Sequence, residues 1–86
     1  MEQSSAVREL EKAQALRIAA VRAHEAAIEA LRVSRESFDQ GLITSLDLLQ
    51  AERTERQMAS QRQRAVLGVW SALFDLRRSK NLPPLS

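Results

Sequence analysis

His24 is the one imidazole in the chain, and chemistry built on it needs partners. A metal takes three or four ligands, yet the next turn from His24 brings Ala27 and Ile28, and only the adjacent Glu25 is acidic. Two readings stand for His24: a packing or surface role, or a metal held between copies of the chain. Cysteine and tyrosine are absent, and no glycine-rich phosphate loop occurs. Catalysis needs convergent polar groups in a concavity, so the residue types argue against an enzyme and call for no cofactor.

Arg53, Arg56 and Arg64, with Ser60 between them, fall near one helical face and resemble a phosphate-binding stripe. The formal net charge is only +2, Glu52 can pair with Arg56 one turn on, and no aromatics interleave. A solvated face with no nucleic-acid partner is therefore expected. Trp70 and Phe74, four apart, are expected to pack inside, opposite Leu10 and Ala13; an interface patch is the other reading. Leu42, Ile43, Leu46, Leu48 and Leu49 crowd apolar side chains around a turn. They either form a contact surface or cap the hairpin's own core.

Long helices must position all of these residues. The 86-residue chain has two Gly, two Pro and 3% aromatics, a usage that favours helix over strand. Neither Gly nor Pro occurs over 4–39, where Leu10, Ala13, Leu16, Ala20, Ala27, Leu31 and Phe38 recur at helical spacing. Ile18, Val21 and Ile28 lie to one side of that stripe, and Ala19, Ala23, Ala26 and Ala30 widen it. The first helix thus presents apolar surface to more than one neighbour.

Gly41 supplies the left-handed backbone that commonly ends a helix, which lets Leu42 fold back towards Phe38. Thr44 then reads as an N-cap with Asp47 as its reciprocal partner. The spacing predicts a second helix over 45–80 and a tail over 81–86, where Pro83 and Pro84 forbid continuation. A turn over 40–44 forces the helices antiparallel, with residue i opposite roughly 84 minus i by matched lengths. The expected fold is all-α, an antiparallel two-helix coiled-coil hairpin that assembles with further helices.

The segment ALRVSRESFDQGLITSLDLLQAERT, over 30–54, is similar to the repeat of TolC-type outer-membrane efflux and secretion proteins. In that repeat an aromatic precedes a Gly by three, a short apolar and polar tip follows, then Leu-Asp-Leu/Val-Leu and an Ala-Gln/Glu-Arg-Thr-like stretch. Phe38, Gly41, Leu46, Asp47, Leu48, Leu49, Ala51, Glu52, Arg53 and Thr54 match it here. The resemblance implies a trimeric channel whose hairpins build a periplasmic α-barrel below an outer-membrane β-barrel. By position, Gly41, Leu42, Ile43, Thr44 and Ser45 would be the tip that docks a periplasmic adaptor protein, and Asp47 would stand near the pore constriction. Neighbouring hairpins of the same channel would be the other partners. Glu55, Arg56, Ser60, Arg62 and Arg64 depart from the family, which usually has Leu and Ala there.

Two alternatives remain at this level. Adaptor proteins carry hairpins too, with an Arg, a Leu and a Ser at spacings of four and seven, whereas counting back from Ser45 gives Phe38 and Ser34. A stand-alone interaction module, two hairpins forming a four-helix bundle, would also use this length. No secretion signal and no membrane-length apolar run is legible, so a periplasmic setting implies a hairpin excised from a longer protein.

Overall fold

The computed structural model describes residues 2–79, and those residues form two helices joined by a turn: α1 over Glu2–Asp39 and α2 over Ser45–Ser79. The expected end of α2 at Lys80 and the tail over 81–86 lie outside the described residues. The helices, of 38 and 35 residues, pack along their length into a body 60 Å long and 24 by 15 Å across. Among the described residues there is no strand, and no helix is long and apolar enough to cross a membrane.

Local rules set the turn. Gly41 takes φ 77°, the Leu42 N–H donates to the Ser37 carbonyl at 2.8 Å, and the Gly41 N–H donates to Phe38 at 2.9 Å. These two bonds are the Schellman closure, which satisfies carbonyls that the helix end would leave unpaired. Leu42 does not fold back as the sequence suggests: it stays 71% exposed, while Ile43 takes the half-buried place beneath the turn.

The seam between the helices follows alternating steps of three and four. On α1 it runs through Leu10, Ala13, Ala20, His24, Ala27, Leu31 and Ser34; on α2 through Leu48, Ala51, Glu55, Met58, Arg62, Ala65, Val69, Ala72 and Leu76. Such spacing keeps one face of each helix against its partner, as in a coiled coil. Only Ala27, Leu31 and Ala72, each 7% exposed, count as buried among the described residues. The packing expected of Trp70 and Phe74 is not found, because Val69, Ala72 and Leu76 hold the seam and turn those two aromatics outward, 51% and 44% exposed. Leu16, expected in the stripe, likewise stands 57% exposed.

The chain exposes 6606 Å², whereas a compact monomer of 9.7 kDa would expose about 5,100 Å². The excess, about 1,500 Å², is close to what a standard protein interface covers in total. Two helices alone leave much of their apolar surface uncovered.

Candidate functional site

The turn is built as a rigid projection. Thr44 caps α2: its Oγ1 accepts the Asp47 N–H at 3.2 Å, and Asp47 Oδ2 accepts the Thr44 N–H at 3.1 Å. The Leu48 N–H donates to the Thr44 carbonyl at 3.1 Å and starts the helical ladder. Two consecutive devices, the Schellman closure and the capping box, therefore fix the backbone on both sides of the short loop. Of the expected tip residues, Gly41, Leu42, Thr44 and Ser45 are exposed and Ile43 is half-buried. Leu46 and Leu49 continue the exposed apolar surface onto the first turns of α2, at 65% and 52% exposure. Asp47 is exposed as well, with its carboxylate engaged in the cap.

Halfway along the hairpin the seam turns polar. His24 points across to α2, where its Nε2 lies 2.7 Å from Glu55 Oε2 and its Nδ1 lies 3.4 Å from an Arg62 guanidinium nitrogen. The His24 side chain is 14% exposed and that of Glu55 26%. A carboxylate only accepts and a guanidinium only donates, so the ring that satisfies both is neutral, carrying its hydrogen on Nε2 and accepting at Nδ1. Of the two readings left open for His24, the packing role matches this geometry. Reasoning from sequence missed the cluster, although one signal was present. Glu55 and Arg62 sit seven apart on the same inward stripe of α2.

Small residues thin the structure around this cluster. Leu16, Ala19, Ala20 and Ala23 border one open groove of about 480 Å³ with Gln61, Arg64 and Ala65. His24, Ala59, Arg62, Gln63, Val66 and Leu67 border another of about 520 Å³. Both are wide enough to receive side chains from a further helix.

Of the arginine stripe, Arg53, Arg56 and Arg64 are exposed. Nearer the turn, α1 has its own charged cluster. Arg32 bonds Glu29 at 2.6 Å and Glu36 at 2.9 Å, all three exposed. The Arg32 hydrogen bond, with its positive charge, holds the Glu29 carboxyl below its ordinary value. Searches of family models, of curated proteins and of solved structures find no match to this chain.

Proposed function

We propose that this hairpin is an element of the periplasmic α-barrel of a trimeric TolC-type outer-membrane export channel, in which its turn docks a periplasmic adaptor protein during efflux or type I secretion. The observation that carries this reading is the turn itself, a doubly capped loop that holds Leu42 and Leu46 out in water at 71% and 65% exposure. Apolar side chains held rigidly at the end of a rod suit a contact surface, since their ordering cost is met before the partner arrives. The uncovered apolar positions along both helices suit a wall in which each helix touches two neighbours.

Sedimentation of the chain with candidate adaptor hairpins tests the proposal. Association that disappears on Leu42→Asp supports it, and association indifferent to the turn counts against it. The Leu67, Trp70 and Phe74 patch, far from the turn, favours a second reading in which two copies of the hairpin pair into a four-helix bundle. Tight self-association without adaptor binding would support that reading instead.

A further inference from the structure

The face that α1 turns towards α2 is not the one apolarity alone would choose. Its inward stripe carries His24 and Ser34. An adjoining stripe made of Leu16, Ala19, Ala23, Ala26, Ala30 and Val33 has no polar side chain, yet it lies to the side, with Leu16 57% and Val33 46% exposed. On α2, Glu55 and Arg62 interrupt an inward stripe that is otherwise apolar, while Leu67 and Trp70 face out. The short turn and its caps fix the register and the backbone beside the loop, but the stripes that meet midway along the hairpin must also be chosen by the side chains there. Hydrophobic burial alone does not choose between these two stripes of α1.

The His24 ring makes that choice. Glu55 and Arg62 are two helical turns apart, about 10.5 Å along the axis, so they do not meet each other directly. The ring bridges them, donating from Nε2 to Glu55 at 2.7 Å and accepting at Nδ1 from Arg62 at 3.4 Å. With the ring in place, both half-buried charges have a partner; rotate either helix and both lose it. Buried polar groups that are satisfied in only one arrangement give specificity where apolar contacts are interchangeable.

We propose that the Glu55, His24 and Arg62 relay selects the inward faces of the two helices. It leaves the Leu16 to Val33 stripe of α1 outside, with Leu67 and Trp70 of α2, free for neighbouring helices. This selection is a property of the hairpin itself and holds whether or not the channel reading is correct.

Thiol reporters test it in the full chain, which has no cysteine of its own. Ala27→Cys places a thiol at a position 7% exposed, and Ala30→Cys places one at an exposed position. In the parent background the thiol at 27 is expected to react at least tenfold more slowly than the thiol at 30. His24→Gln should keep that ratio, because an amide can donate to Glu55 and accept from Arg62. His24→Ala should shrink the ratio to threefold or less while circular dichroism still reports helix. Should His24→Ala unfold the chain, the triple substitution of His24, Glu55 and Arg62 by Ala removes the charges with the ring, and the ratio is then expected to be threefold or less. A tenfold ratio surviving in whichever of these Ala variants folds would overturn the proposal. So would a Gln variant that loses protection as fully as the Ala variant.

Discussion

Thr44 and Asp47 each accept the other's backbone N–H, at 3.1 and 3.2 Å, so the start of α2 is closed by a reciprocal pair of residues three apart. Loss of an N-cap partner typically costs about 1 kcal/mol. Asp47→Ala should therefore lower the unfolding free energy of the isolated chain by about 1 kcal/mol, seen as a lower thermal midpoint, and Asp47→Asn should restore part of it. If the proposed channel reading holds, conductance of the full-length protein distinguishes two roles for the carboxylate. A changed ion conductance or cation block in Asp47→Ala would place it at the pore, and an unchanged one would leave it as a cap only.

Gly41 has open space where a Cβ would stand, with no heavy atom within 4 Å, so only its φ of +77° opposes a side chain. Gly41→Ala should destabilise the hairpin by about 1–2 kcal/mol through that conformation alone. Denaturant titration measures it. Gly41→Asn should cost less, since Asn tolerates the left-handed region better than Ala.

Leu42 makes so little contact with its own chain that it can be replaced without harm to the fold. Leu42→Asp is expected to leave helicity by circular dichroism unchanged and to abolish association with an adaptor hairpin. Reduced helicity would mean that Leu42 supports the turn, contrary to its 71% exposure.

Trp70 is a built-in probe of whatever covers the far end of α2. Its emission should be that of a half-exposed indole in dilute solution and should shift to the blue as helices associate over it. Leu67→Ser with Phe74→Ser should weaken association of copies of the chain without changing the turn. An emission maximum independent of concentration would show that copies do not meet on this face.

Glu29 gives the chain a weak acid response. Its folded carboxyl value lies below the unfolded one, chiefly through the hydrogen bond from Arg32, so its stabilising contribution is full above the unfolded value and is lost as pH falls through the lowered folded value. Glu29→Gln should therefore lose less stability on acidification than the parent. The pair is exposed, so the difference should close in high salt.

The hairpin was legible in the sequence because its determinants are local. Gly41 and the Thr44/Asp47 pair each act within a few residues, and an uninterrupted run without Gly or Pro needs no partner to be recognised as a helix. The seam was harder to read. Helix α1 carries several stripes at steps of three and four, and the choice among them depends on residues 31 and 38 positions away, where His24 meets Glu55 and Arg62. Trp70 and Phe74 were expected inside because large aromatics usually are, but the inward stripe of α2 was already filled by smaller side chains. Writing out positions 55 and 62 on that stripe would have shown two charges facing the first helix, with His24 the one side chain there that answers both.

Leu16 and Val33 belong to one helix, and Leu67 and Trp70 to the other, so the two uncovered patches differ from each other. If one patch met the other rather than its own copy, the subunit would be bivalent and its copies would join head to tail rather than face to face. Whether such growth ends depends on one angle: if each addition rotates by a whole fraction of a circle the chain of subunits closes and stops, and otherwise it lengthens into a filament. For such pairing, solubility at high concentration would be a question of closure geometry, set by the small Ala side chains that decide how near, and at what tilt, the next helix can lie.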